Sequence, residues 1–579
     1  MPGRLASGKQ PPSPVHALPP ILAVTHHSHR SHVVFALALV ASAMTISGVS
    51  LPATSVAFHD DDPLGRDPDT QDASQAREWE IDLFIDLATN LFAQPGDRAT
   101  GVRARNVNTI DEVPDSNWFT NRILAHPLSS DDIVLGPHHG NGPAEGPWTV
   151  IASKDVGVAP GFTVEDTAGE TWFISFDARG YPEAATGAIL VANKIFWSLG
   201  YWQVENILTS VRPEQILLGD TATVRPMSGA RRRMRPSDLD DIWARAHRSA
   251  DGSFRAIAAR KLSGRPLGGF RYHGTRPDDP NDLVPHEHRR ELRALKVFGA
   301  WTNLVDMKAG NTLDVLVTEN GRGVVRHYLQ DVGSTFGTGA TAPREFDEGW
   351  EHLYEGDLVW KRLASLGFML RPWQTVSYVD SPAVGRFEGT VFDPTTWKPR
   401  VPMAAFRHAQ PDDLFWAARR VMAFSDEMIR SVVKTAMYSD PNAERHLADV
   451  LIQRRDKIGA AYLTAVTPLV DFELSTDGQL SFENAAVMAG VATEPRGGYR
   501  VTWSRFDNLT GALAPIGEST VASGDRTSPP GALPAADGVF VRVDVSAVAP
   551  SHDTWTPVHV YFRRVGNAWT LVGLARSEA

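Results

Sequence analysis

Asp306-Met-Lys308-Ala-Gly-Asn311, then a strand-like run, then Asp331-Val-Gly333, is the stretch on which the reading of this chain turns. An Asp five residues ahead of an Asn, with an Asp-x-Gly after the next strand, supplies three groups of complementary chemistry. The first carboxylate, Asp306, can orient or deprotonate an acceptor hydroxyl. Asn311 and Asp331 can hold a divalent cation on nucleotide phosphates. The same residue types are ordinary in turns, so Asp306 to Asn311 alone would read as a polar helix-to-loop turn. The Asp-x-Gly after a strand is what adds chemistry to it.

Working upstream, the pattern is β-rich. Trp148–Ser153, Phe162–Asp166 and Thr171–Phe176 alternate as three strands. Lys154, Gly157 and Gly161 lie in the first connection. Glu183 to Leu199 reads as a helix stopped by Gly200. Strands follow at Ile207–Val211, Gln215–Leu218 and Phe254–Leu262, interrupted by a basic insertion, Arg231 to Asp240, in which Ser237 and Asp240 form a helix-capping pattern. Gly264–Gly269 reads as a linker. A helix from about His286 to Leu304 leads into the motif, and 411–438 and 441–466 read as two long helices. Upstream of the β-rich part, Trp79 to Phe92 has helical apolar spacing, and Pro114–Phe119 is an aromatic patch that should pack on a neighbour.

Downstream, the period changes to two. Tyr499–Phe506, Val539–Val545, Val558–Arg564 and Trp569–Leu574 alternate between turns rich in Gly, Pro, Asn and Asp, which predicts a small all-β sandwich over 469–579.

Strand, Gly-containing turn, two strands, helix, more strands, a Gly-containing hinge and then a helical part with Asp-x-Lys-x-x-Asn and Asp-x-Gly resembles the protein-kinase-like fold, in the style of HipA-type and CotH-type kinases, over about residues 146–466. The resemblance implies an α+β architecture: a β-rich N-lobe (146–270, with the basic insertion), a helical C-lobe (271–468), and the β-sandwich (469–579) after it. It gives Asp306 and Lys308 catalytic roles. Asn311 and Asp331 become ligands for Mg²⁺ or Mn²⁺ carried with a nucleotide, and Gly157 and Gly161 fall in the turn that covers phosphates. Two positions depart from the family pattern. The third strand carries Ser175 where a phosphate-gripping lysine is expected, and the helix interior carries Ile189 where its Glu partner is expected. Lys154 and Lys194 are the candidates for the missing cation. Loss of that cation removes transition-state electrostatics, so a non-catalytic, pseudokinase-type binding or scaffold protein of the cell envelope stands as the alternative to phosphoryl or nucleotidyl transfer.

Composition sets limits. At 579 residues the chain is too long for one core. Its 42% hydrophobic and 22% charged content is that of a globular protein. A net charge of −11 gives no reason to expect nucleic-acid binding. With no cysteine, disulfides, thiolate nucleophiles and Cys-held zinc are excluded. Residues 1–32 are basic, and Val33 to Ile46 is apolar without a charge. Ser55-Val56-Ala57 then supplies the small residues a signal peptidase reads, so 1–57 is expected to be a signal peptide. The alternative is a retained N-terminal anchor. Either way the rest of the chain is expected outside the cytoplasm, periplasmic or secreted, with an N-terminal extension (58–145) and no later membrane span. The sandwich would then meet an unknown protein or envelope component.

Three further clusters have plainer readings. His286-Glu-His288 has the wrong spacing for one helix face and reads as a charged helix start. Asp278, Asp279 and Asp282 lack the alternation of a calcium loop and read as a solvated acidic loop. His327 reads as a half-buried strand residue. Export and 16 Trp residues are all that favours a glycan-handling protein.

Overall fold

Alternating residues between Trp148 and Arg260 build one twisted sheet. Its strands are β1 (Trp148–Ser153), β2 (Gly161–Glu165), β3 (Thr171–Phe176), β4 (Asn206–Val211), β5 (Ile216–Val224), β6 (Arg232–Arg233) and β7 (Phe254–Arg260). They lie in the order β4-β7-β3-β2-β1-β5-β6. This is a computed structural model, and it describes residues 56–154, 158–226 and 229–576. Gly157 and residues 1–55 of the expected signal peptide therefore lie outside the described residues. The pairings are antiparallel except β1 with β5, which is parallel. One face buries Trp148, Val150, Phe162, Val164, Trp172, Ile174 and Phe176, the inward set that the period-two pattern selects.

The helix Ala184–Leu199 joins β3 to β4 and is buried along most of its length, with Ala188, Val191, Ala192, Ile195 and Phe196 in the main core. It ends on Gly200, whose positive φ of 119° and close approach to Phe119 both require glycine.

Gly264–Gly269 is more than a linker. β8 (Arg265–Pro266) sits inside it and pairs with β9 (Leu313–Glu319), which pairs in turn with β10 (Arg322–Tyr328). The segment is thus stitched into the hairpin between the two halves of the motif. A side chain at Gly269 would strike the Ala309 carbonyl, so the Asp306–Asn311 loop lies directly against this segment.

The helical part is built on Arg290–Thr302, which buries Leu295, Phe298 and Trp301 against Pro411–Met422 and Pro441–Tyr462. The helix expected over 411–438 is two helices, Pro411–Met422 and Asp426–Lys434. Ser425 starts the second by accepting from the Met428 amide, and the chain turns there. The basic insertion also differs in its start. Its helix, Pro236–Arg245, is begun by Pro236 and by Asp238, which accepts from the Arg235 amide; Ser237 is not the cap.

In the C-terminal part, β13 (Tyr499–Phe506), β14 (Leu513–Val521), β15 (Phe540–Ala547), β16 (Val558–Val565) and β17 (Ala568–Ala575) form a five-stranded antiparallel sheet in the order β14-β13-β15-β16-β17. The hairpin β11 (Leu469–Leu474) and β12 (Leu480–Asn484) shares its core. This part is joined to the rest. Arg576 lies over the Phe415 ring, and Leu574 donates to the Thr109 carbonyl. Phe58, the first residue after the expected signal peptide, packs among Phe506, Phe540 and Tyr561. No helix among the described residues is long and apolar enough to cross a membrane. The chain is thus a mixed α+β protein.

Candidate functional site

The loop Asp306–Asn311 leaves the core after Val305 and makes one short 3-10 turn, Ala309–Asn311. Its geometry is fixed by its own polar groups. The Asn311 side-chain amide donates to the Asp306 backbone carbonyl at 2.5 Å. That commits Nδ2 inward, and no protein donor among the described residues reaches Oδ1. The Asp331 amide donates to the Asn311 carbonyl at 3.0 Å, so the two halves of the motif are tied by a backbone hydrogen bond. Asp331 Oδ1 accepts from the Gly333 amide at 3.0 Å. Asp331 is exposed and Asn311 half-buried, so both oxygens face accessible space.

Asp306 is half-buried, and Lys308 Nζ donates to its Oδ2 at 2.9 Å. Arg344 Nη2 stands 3.6 Å from the same oxygen and also bonds Ser334. Burial pushes the Asp306 carboxyl up, but Lys308 and Arg344 together hold it below the usual carboxylate range. A carboxylate so held is a weak proton acceptor and a good orienting group. Arg344 is the residue that sequence reasoning missed. It follows the motif in an irregular stretch with no spacing signal, and only the return of the chain brings it to Asp306.

The two candidates for the missing cation separate cleanly. Lys194 is buried, and its Nζ donates to the carbonyls of Val134 and Leu135 at the end of the Ser130–Leu135 helix. Desolvation lowers it to about 8. Its ammonium is taken up at that helix end. Lys154 continues β1 toward the motif. Its amide meets the Gly161 carbonyl, Gly161 pairs with Ser175, and Lys154 Nζ donates to Ser175 Oγ at 3.3 Å. The lysine thus reaches from β1 to the place on β3 where a cation was expected. Lys154 is exposed; neighbouring protein atoms still desolvate its ammonium enough to lower its pKa, while the Asp331 carboxylate raises it.

Gly161 has a backbone reason to be glycine, because a side chain there would run into the Ile174 carbonyl. Ile189 of the Ala184–Leu199 helix lies against Gly333, 2.8 Å from where a Cβ would stand. Glu183, at the start of that helix, accepts from the Ser439 amide instead. The helix therefore meets the Asp-x-Gly turn with an apolar group.

The other clusters are structural. Asp278, Asp279 and Asp282 do not form a solvated loop: Asp279 and Asp282 are buried. Asp282 bonds His286 Nε2 at 2.8 Å and Arg289 at 3.0 Å. His288 lies between Asp97 and Arg293. His327 bonds Asp314 at 2.7 Å and stacks on Trp118 at 3.6 Å. Among the described residues no three His, Cys, Asp or Glu side chains gather as a metal-holding group. A cavity of about 660 Å³ lies elsewhere, lined in part by Lys296, Trp350, Trp397 and Phe406.

Comparison with protein-family models, curated proteins and solved structures gives no match to this chain.

Proposed function

We propose that the chain is a divergent kinase-like phosphotransferase, exported from the cytoplasm, that transfers a phosphoryl or nucleotidyl group. The observation that carries the reading is the placement of Lys154 beside Ser175 and within electrostatic reach of Asp331, at a loop where Asn311 is locked onto Asp306. The seven-stranded sheet would serve as the N-lobe, the helices from Arg290 onward as the C-lobe, and the sandwich as the part that meets a protein or envelope component. Asp331 and Asn311 fit the cation's needs: each has a hard oxygen without a protein donor, and one is charged. Bound there with a nucleotide, Mg²⁺ or Mn²⁺ would neutralise charge on the phosphate oxygens.

The chain's own residues do the rest. Asp306, kept ionised by Lys308 and Arg344, orients the acceptor hydroxyl. Lys154 offsets phosphate charge from the sheet side. Lys308 is shared between Asp306 and the transferred group. Among the described residues no glutamate pairs with Lys154, whose ammonium bonds Ser175 and lies within electrostatic reach of Asp331.

The pseudokinase reading draws on the Ile189–Gly333 contact, which puts an apolar side chain where a charged pair is expected. The test is thermal stabilisation by nucleotides with Mg²⁺ or Mn²⁺, on wild type, Asp331→Ala and Lys154→Met. Cation-dependent stabilisation of the wild type, lost in both variants, supports the proposal. No stabilisation of the wild type refutes it, and stabilisation unchanged in Asp331→Ala refutes the metal role of Asp331.

A further inference from the structure

Lys296 is a cation without a partner. It lies on the Arg290–Thr302 helix, half-buried, and no acceptor among the described residues bonds it. It lines the 660 Å³ cavity, a volume within the ~300–1,000 Å³ typical of sites for small organic ligands. The cavity's carboxylates are otherwise engaged. Glu351 binds Arg371 and accepts from the Trp373 ring nitrogen at 2.8 Å, and Asp393 accepts from the Thr395 amide and hydroxyl at 2.9 and 2.7 Å. Lys398, also on the wall, is neutralised by Glu355 at 2.7 Å. Arg407, also on the wall, donates to the Pro95 carbonyl. That leaves Lys296 as the wall's ammonium with no acceptor among the described residues, and partial burial of an unpaired ammonium favours an anion beside it. Desolvation lowers its pKa accordingly, with no opposing charge to raise it.

The rim of this cavity is apolar. Asn90 and Leu91 line the wall, and the next residue, Phe92, packs on Tyr354 at 5.1 Å. Farther along the chain from Tyr354, Trp360, Leu363, Leu366 and Phe368 are 60–86% exposed. The helix that carries Trp360, Gly356–Ala364, buries none of its residues.

We propose that this cavity binds an anionic amphiphile, a single-chain carboxylate or phosphate, with its head at Lys296 and its chain leaving over Phe92 and Tyr354. The occupant is argued from the two parts of the site: an unpaired cation inside and an apolar exit outside. The site stands apart from the phosphotransfer reading, since none of Asp306, Lys308, Asn311 or Asp331 lines it.

The test is calorimetric titration of the full chain with dodecanoate and dodecyl phosphate below their micellar concentrations, with dodecanol and inorganic phosphate as comparisons. One site is expected for at least one of the two amphiphiles, at least tenfold tighter than dodecanol and than inorganic phosphate. Whichever of the two binds tighter names the head group. Lys296→Met should weaken it at least tenfold, Lys296→Arg should retain it, and Asp331→Ala should leave it unchanged. No saturable binding of either amphiphile, equal binding of dodecanol, or equal binding of inorganic phosphate overturns the proposal. Should Lys296→Met fail to fold, the comparison of charged and neutral chains on the wild type decides alone.

Discussion

Lys154 Nζ donates to Ser175 Oγ at 3.3 Å, across the backbone of the intervening strand. Two strands that are not neighbours are thus bridged by the ammonium. If the cation is what matters and not its origin, it can be moved. Lys154→Met should lower transfer, or cation-dependent nucleotide binding, by about 10²–10³-fold, the size of effect seen when one preorganised charge-stabilising group is removed. Lys154→Met with Ser175→Lys should recover a substantial part. Nucleotide titration of both variants measures this, and no loss in Lys154→Met would remove the lysine from the site.

The Gly333–Ile189 contact makes a second prediction. Gly333→Ala should destabilise the protein by about 1–3 kcal/mol through overpacking. Adding Ile189→Ala should return much of it, because the nearest atom is Ile189 Cγ1, which that substitution removes. Urea unfolding of the two single variants and the double variant gives the coupling energy; additive effects would mean the two residues do not meet.

Asp413 sits between Arg290 and Arg293, 2.9 Å from each, with all three side chains fully buried. Asp413→Ala would leave two guanidinium groups short of a partner. A loss of about 3–5 kcal/mol is expected. A melting temperature within a degree or two of wild type would show that water or Asp412 replaces the carboxylate.

Glu112 bonds Trp416, Arg419 and Arg420. Burial pushes its carboxyl up, but Arg420 and Arg419 outweigh it and hold the pKa at about 2, against 4.5 for the free side chain. A carboxyl depressed in the folded state adds stability above its unfolded pKa. That stability is lost as pH falls from about 4.5 to about 2. The upper limit is on the order of 3 kcal/mol, and partial exposure of the side chain lowers it. Glu112→Gln should therefore be less stable than wild type at pH 7, with a gap that narrows below pH 4.5. A gap independent of pH would point to packing instead of charge.

Much of the fold was legible because alternation and helical spacing are local. The period-two runs at Trp148–Ser153, Thr171–Phe176 and Tyr499–Phe506 are strands in the structure, since each buries one face. The Glu183–Leu199 pattern is a helix because it ends on Gly200. What failed depends on partners distant in the chain. Asp279 and Asp282 look like solvent-exposed loop residues until His286 and Arg289 fold over Asp282. The Trp79–Phe92 pattern reads as a helix that buries its apolar face. The structure keeps only Leu83–Ala88 as α-helix and a π turn after it, with Phe84 and Ile85 outward.

By itself, the sequence determined which groups could do chemistry: Asp306, Lys308, Asn311 and Asp331, set by spacing and by residue type. It also determined that Ser175 and Ile189 stand where a lysine and a glutamate were expected. Only the tertiary structure decided which of the two candidate lysines stands beside Ser175. Lys154 and Lys194 are equivalent as letters. One leaves the end of a strand beside Asp331, and the other is consumed by two carbonyls at a helix end. A charge acts over a few ångströms, and that distance is set by how strands and helices pack, not by their order along the chain.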